Sequence, residues 1–351
     1  MTTVNPPKLL IFPFDGDAAG QMQHQAHSLG IEVACAHSDR GNDHFLYLPY
    51  VSDRGFIDAL RALITTERIT HLYSPHPVVW ASLDDLIRQG QLSLSLLQPS
   101  PYEQDLSRYR LAVSWAQKQL AVMPATAVSR LGSDALDTLS GLHLGFFTIP
   151  GQSDLAKLEA IVELMGRCPA GDIVEIGSLF GRSAYAFAYL ARRLNLGHVL
   201  CVDPWSNQEA GDQGDSAKLV NTASRHRRYN DVHHYFRAIR QAFNLDNLDW
   251  LRSTSCQGAE SYRAGTAFSR TESTGTIALL HIDGNHALEA VSADIAAWSP
   301  WVGSGGWILI DDYCWSFGSG PRQAGDHYLQ QHADLIEQAY CLGDTLYIQK
   351  K

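Results

Sequence analysis

The chain has 351 residues, 45% of them hydrophobic, and a formal net charge of −10 at pH 7. That length holds two ordinary domains with cores of their own, and the acidic balance excludes a global basic field for nucleic acid or anionic lipid. Six cysteines, at 35, 168, 201, 256, 314 and 341, form no C-x-x-C pair, which argues against a zinc site or a disulfide framework and for a reducing cytoplasm.

The opening residues, Met1 to Lys8, lack the charged-then-apolar pattern of a secretory signal, and no apolar run reaches membrane-spanning length. The expectation is a cytoplasmic protein, away from membranes, acting on a small molecule. Lys8 to Phe14 reads as a strand, Asp15-Gly16-Asp17 as the turn into a helix ending near Gly30, and Ile31 to Ala36 as a second strand followed by His37-Ser38-Asp39. Phe56 to Thr65 and Trp80 to Arg88 read as helices around a strand at Ile69 to Tyr73. This alternation predicts a small parallel sheet covered by helices. A strand, an Asp-Gly turn, a helix and an acid-ended strand in that order invite a nucleotide-binding reading. They faintly resemble the Rossmann-like subdomain that precedes ATP-grasp domains, although the remainder of the chain reads differently from an ATP-grasp body. A part in forming a homo-oligomer, or in covering an active site, is an equal reading.

Asp105 to Leu120 reads as a connecting helix, Met123-Pro124 as a break, and Leu131 to Leu142 as a serine- and glycine-punctuated stretch. Gly145 to Gln152 is expected to cover a cofactor mouth or to cross between domains. The boundaries that follow are 1–120 for a small Rossmann-like α/β domain, 121–150 for a linker or cover, and 151–351 for a second, larger domain.

Asp154 to Met165 is an amphipathic helix with Leu155, Leu158, Ile161, Val162 and Met165 on one stripe. Asp172 to Ile176 then reads as a buried strand, Gly177 and Gly181 punctuate the turn after it, and Ser183 to Leu194 has helical composition. Glycines at such a turn let backbone N–H groups approach a ligand, and the helix start offers unpaired donors. The acidic residue, Glu175, stands two positions before the first glycine, unlike the dinucleotide pattern G-x-G-x-x-G. On the residues alone it is either a ligand contact or a strand-end cap. The next strand, Gly197 to Val202, ends at Asp203. A carboxylate ending the second strand can accept ribose hydroxyls; the other reading is a helix cap before Pro204.

Ser206 to Arg240 carries Arg225, His226, Arg227, Arg228, His233, His234, Arg237 and Arg240 in an otherwise acidic protein. The cluster either steers an anionic substrate or is a solvated helix face. Ile277 to Ile282 is a buried strand ending in Asp283-Gly-Asn-His286, and Gly305 to Ile310 is another ending in Asp311-Asp312-Tyr313. Parallel strands end on one sheet edge, so Asp283, Asp311 and Asp312 are predicted to converge. Three carboxylates in one pocket repel unless a cation lies among them, and oxygen ligands favour Mg2+, or Mn2+ or Ca2+, over zinc. His281 reads as a buried strand residue. Ile336 to Cys341 and Thr345 to Gln349 read as a terminal hairpin.

The form Glu175-x-Gly177-x-x-x-Gly181-x-Ser183 resembles motif I of class I S-adenosylmethionine-dependent methyltransferases, in the manner of the catechol O-methyltransferase group. Ile-Asp283-Gly-Asn-His286, Gly305-Gly306-x-Ile-x-Ile-Asp311-Asp312-Tyr313 and Gly320-Pro-Arg322-Gln-Ala324 are similar to the metal-dependent macrocin and mycinamicin sugar O-methyltransferases, over roughly Gly145 to Lys351. The resemblance implies an α/β chain whose Rossmann-like seven-stranded methyltransferase sheet, mostly parallel with an antiparallel last strand, follows a smaller α/β domain. It implies S-adenosyl-L-methionine held by Glu175, Gly177, Ser178, Gly181, Ser183 and Asp203, with Ser255 in the Ser253–Gln257 loop beside the adenine. It also implies a divalent metal, Mg2+ first, on Asp283, Asp311 and Asp312, and His286 as the base working beside Asp283. A supporting hydrogen bond from His286 to Asp283 or Asp312 is the alternative. The implied reaction is methyl transfer to a hydroxyl of a vicinal diol, on a sugar of a natural product or polysaccharide. The basic cluster extends this to an anionic or nucleotide-linked acceptor. A catechol-type acceptor and a non-catalytic cofactor-binding scaffold are the alternatives. Cephalosporin-hydroxylase-like proteins also resemble this domain, but an iron-holding arrangement of a His-x-Asp with a distant His is not the reading adopted here.

Overall fold

The computed structural model describes residues 6–41, 44–210, 221–222, 224 and 226–351. The chain divides into two compact units, Met1–Arg110 and Leu111–Lys351.

In the first unit β1 (Lys8–Ile11), α1 (Gly16–Ser28), β2 (Glu32–His37), β3 (Leu46–Tyr47), α2 (Phe56–Glu67), β4 (His71–Tyr73), α3 (Pro77–Arg88) and β5 (Ser95–Leu96) alternate along the chain. The strands form a wholly parallel sheet in the order β3-β2-β1-β4-β5. Leu9, Leu10 and Ile11 are all buried, as befits a central strand covered on both faces. Leu10 packs with Phe12, Phe56 and Leu60, while Leu9 and Ile11 pack with Ala19 and Ala26 of α1. Pro77 opens α3 at a position where a missing N–H costs nothing.

The division between units falls inside α4 (Pro101–Val122). Residues 121–150, read from the sequence as a linker or cover, contain α5 (Ala125–Leu131) and α6 (Ala135–Thr148). Leu131, Leu139, Leu142 and Phe146 belong to the same core as the helices that follow. The small residues that suggested a loop serve close packing: a Cβ on Gly145 would lie 2.2 Å from the Tyr185 hydroxyl.

The second sheet is built from β6 (Asp172–Ile176), β7 (Val199–Val202), β8 (Leu248–Leu251), β9 (Ile277–Ile282), β10 (Val302–Ile310), β11 (Ile336–Leu342) and β12 (Thr345–Lys350). Its order is β11-β12-β10-β9-β6-β7-β8. The run from β10 to β8 is parallel, and β12 enters antiparallel to β10 with β11 antiparallel outside it. The mostly parallel, seven-stranded sheet with an antiparallel last strand is the one expected from the sequence. From β6 the chain moves out to β7 and β8, then returns to β9 and β10 on the other side, so the switch point lies between β6 and β9. Ligands bind at the carboxyl ends of strands at such a point.

Helices α7 (Leu155–Arg167) and α8 (Arg182–Leu194) lie against one another. On α7 Leu158, Ile161, Val162 and Met165 are fully buried, whereas Leu155 is 41% exposed at the first turn. Further along are the short α9 (Asn207–Ala210), then α10 (Tyr229–Ala242), α11 (Ser255–Arg263), α12 (Leu288–Trp298) and α13 (Gly320–Gln331). Side chains alternate across the sheet: Val174, Ile176, Leu200, Leu280 and Ile308 share one core, Ile173, Cys201 and Leu309 the other. Among the described residues no helix is long and apolar enough to cross a membrane.

Candidate active site

The carboxyl ends of β6, β7, β9 and β10 open into a cavity of about 790 Å³ within the second unit. Its floor begins at the turn after β6. Gly177 has φ +83°, and a Cβ there would stand 2.1 Å from the backbone oxygen of Asp283. The turn and the end of β9 therefore touch through backbone, and only glycine permits both the dihedral and the contact. Gly181, with φ +89°, caps α8 and packs against the Phe236 ring; it stands behind the cavity wall, whereas Ser178 and Ser183 line it.

Asp203 holds this turn in place. One carboxylate oxygen accepts from the backbone N–H groups of Ser178 and Leu179, both at 3.0 Å, and the other from that of Trp205 at 2.7 Å. Burial lifts its carboxyl to about 6 against the pull of those three amides. The residue lines the cavity, but one oxygen already serves the turn and the other the Trp205 N–H, so a ribose contact would have to share them. Ser255 lines the cavity at the start of α11, where its hydroxyl accepts from Trp298 Nε1 at 3.0 Å.

Glu175 does not reach the cavity. It is fully buried on the sheet face opposite Val174 and Ile176, with Oε1 3.2 Å from His281 Nδ1 and Oε2 accepting from the Cys201 thiol. Strand register explains this: Glu175 is aligned with Cys201 on β7 and with His281 on β9, so the three side chains share a face.

Asp283, His286, Asp311 and Asp312 also line the cavity. Asp283 is half-buried beside Asp311 and Asp312, and desolvation of its carboxyl together with their charges holds it well above the usual range. Asp311 is held well below that range although burial opposes it, because His281 and Lys157 face it. Lys157 Nζ, on α7, donates to Asp311 Oδ1 and to the Thr345 hydroxyl, which in turn donates to the same oxygen. His281 Nε2 lies 3.6 Å from Asp311 Oδ2. Burial disfavours the His281 cation, but the facing carboxylates of Asp311 and Glu175 raise it to about 9. A buried chain thus runs from Glu175 through His281 and Asp311 to Lys157.

Asp312 adopts φ +56°, a conformation costly for a non-glycine residue, and its Oδ2 is 2.6 Å from His286 Nε2. The His286 ring stacks on Trp315 at 4.2 Å, and the Phe317 edge meets Trp315 at 5.3 Å. Among the described residues, the side chains whose ligand atoms lie within 4.8 Å of one another are His281, Asp283 and Asp311. The expected trio thus stands in one pocket, but Asp312 is engaged by His286, and His281 occupies the corresponding place at the cluster.

Residues 174–313 match the family model of a methyltransferase domain. The matched region is a methyltransferase domain. Its sheet is the one that the class I resemblance implied. Among solved structures, the O-methyltransferase NovP is 21% identical, with a TM-score of 0.42 over 56% of this chain and 80% of that one. The calicheamicin methyltransferase CalS11 is 14% identical, with a TM-score of 0.42 over 72% and 94%. MycE methyltransferase of the mycinamycin biosynthetic pathway, solved with Mg and SAH, is 15% identical, with a TM-score of 0.37 over 62% and 58%. A search of curated protein sequences returns no match.

The methyltransferase domain and the helix preceding it also contain site residues that motif reading overlooked. Lys157 interrupts the apolar face of α7, and a lysine among buried positions was the signal for it. Arg182, the first residue of α8, donates from Nε to Ile149 O at 2.7 Å and from Nη1 to Ser153 O at 2.8 Å, fixing the segment that lines one wall. That segment includes the Pro150 to Gln152 stretch expected over the cofactor mouth. The basic cluster is dispersed: Arg240 bonds Leu248 O and lies over the Trp250 ring, Arg228 pairs with Asp231, and Arg227 is on the cavity wall. Arg225 lies outside the described residues.

Proposed function

We propose that the methyltransferase domain moves a methyl group from S-adenosyl-L-methionine to a hydroxyl of a vicinal diol, on a sugar, with help from a divalent cation. The observation that carries this reading is the meeting of Asp283, Asp311, Asp312 and His286 in a cavity whose floor is the Gly177 turn. Gly177, Ser178, Ser183 and Ser255 would line the cofactor's place, with Asp203 ordering the turn that receives it. The donor set suits a hard cation: carboxylate oxygens of Asp283, Asp311 and Asp312 in one cavity, with the Thr345 hydroxyl beside Asp311. Asp283 and Asp311, with Asp312 or His281 beside them, would hold it. When bound, such a cation acidifies a coordinated hydroxyl and fixes its direction of attack.

The transfer makes an O–C bond, breaks the S–CH3 bond and releases the hydroxyl proton. His286 is the group to receive that proton, with Asp312 on Nε2 to steady the imidazolium, and Trp315 fixes the plane of the ring. Arg227 on the wall would meet a charged or nucleotide-linked acceptor. A catechol-type acceptor is the second reading, favoured by the flat aromatic surface of Trp315 with Phe317 at its edge.

The test is turnover of S-adenosyl-L-methionine with diol and catechol acceptors, with and without chelator. Loss of turnover in chelator and in Asp283→Asn, with cofactor binding retained, supports the reading. Full activity in excess chelator refutes the metal part, and undiminished turnover in His286→Ala removes it as the base.

A further inference from the structure

We propose that Lys157 is a built-in counter-ion for the carboxylate cluster, occupying from within the protein the electrostatic place that a divalent cation takes over. The inference rests on the metal reading above and concerns how the cluster exists without its metal. The sheet topology delivers Asp283 from the end of β9, and Asp311 and Asp312 from the end of β10, to one cavity whether or not a cation is present. Like charges brought together away from water oppose folding unless something neutralises them.

Lys157 meets that need by position. It is 7% exposed, and its ammonium donates to Asp311 Oδ1 and to the Thr345 hydroxyl. The first turn of α7 is itself pinned, since the Asp154 carboxylate accepts from the Lys157 backbone N–H at 2.9 Å. A buried ammonium without a partner is costly, so this placement makes sense as half of a pair. On its other oxygen Asp311 faces His281 at 3.6 Å. A lysine is a point charge on a flexible stem and can withdraw. A cation held by Asp283 and Asp311 would stand close to the ammonium and repel it, so the two compete for Asp311. Lys157 therefore weakens metal binding while making the metal-free protein stable.

The experiment uses the full chain, wild type and Lys157→Met, with Mn2+ as the probe. Free Mn2+ is followed by electron paramagnetic resonance, and melting is followed in chelator and in Mn2+. Lys157→Met is expected to melt below wild type in chelator, to recover in Mn2+, and to bind Mn2+ on the order of tenfold more tightly. Equal affinities and equal melting responses overturn the proposal while leaving the metal reading intact. If neither protein takes up Mn2+, the metal reading itself has failed and the proposal falls with it. For a single variant that does not fold, the second arm is Lys157→Met with Asp311→Asn, in which charge and counter-charge leave together. This protein is expected to melt near wild type in chelator. A double variant that stays as unstable as the single one shows that the lysine stem was needed for packing, and overturns the proposal.

Discussion

Asp294 offers a quantitative check on the electrostatics of the cavity wall. It projects from α12, is 7% exposed, and lines the cavity near Ser255. Burial lifts its carboxyl from 3.8 to about 6, against a hydrogen bond from Ser255 that favours the ionised form. The sign follows from linkage: the folded state holds this proton more tightly than the unfolded state does. Ionisation therefore costs stability progressively as pH rises from about 4 to about 6, and the whole penalty is present above that window. A shift of about two pKa units corresponds to about 3 kcal/mol. Asp294→Asn keeps the shape and a carbonyl acceptor for Ser255 but removes the charge. It is expected to stabilise the protein by up to about 3 kcal/mol near neutrality, a rise of roughly 6–12 °C in melting temperature. The gain should shrink toward zero as pH falls to about 4. Denaturant titrations of both proteins at about pH 7.5 and about pH 4.5 measure this directly. An equal gain at both pH values would show that helix propensity or shape is responsible, and a loss at the higher pH would show that the wall needs this charge for folding; either refutes the reasoning.

Gly177→Ala is expected to abolish S-adenosyl-L-methionine binding and to cost about 3 kcal/mol or more, since the new methyl meets the Asp283 backbone at 2.1 Å and φ is +83°. Gly305→Ala is the control, because its φ is +73° but nothing lies within 4 Å of the added carbon; equal losses by calorimetric binding and denaturant titration would refute the close approach. Trp315→Ala is expected to raise the KM for the acceptor roughly tenfold or more, from lost stacking on the ring beside His286, with cofactor affinity unchanged. A fall in cofactor affinity of the same size would place Trp315 against the cofactor rather than the acceptor.

Much of the second unit was legible because strands and acids were legible together. The runs at Asp172–Ile176, Ile277–Ile282 and Gly305–Ile310 are apolar, short and each followed by a polar end, and the parallel pairing carries those ends to one edge. Residues 121–150 were less legible because Ser140, Gly141 and Gly145 carry opposite meanings in a loop and in a packed helix. Their neighbours across space, Tyr185 and Tyr189 on α8, decide between the two, and no local pattern contains them. Leu155, part of the apparent apolar stripe, fell on the exposed first turn of its helix, where the spacing alone could not distinguish core from rim.

The site shows a sharper division of the same kind. Spacing along the chain locates carboxylates at strand ends, but it does not say which partner each oxygen takes. Asp203 stands at a ribose-like position, gives one oxygen to the turn after β6 and the other to the Trp205 backbone N–H that follows it. Glu175 stands two residues before a glycine and faces inward, where it supports His281. The cationic half of the site is hidden for a related reason. Lys157 stands in the first turn of a helix and His281 within a strand, so neither was among the acids that mark the strand ends, yet they face the two oxygens of Asp311. Folding brings the acids together by topology and must balance them by packing, and packing draws its cations from whichever element lies behind the sheet edge. An acidic strand-end motif in a chain of this kind therefore calls for a search of the preceding helix for a lysine on its buried face, where α7 carries one.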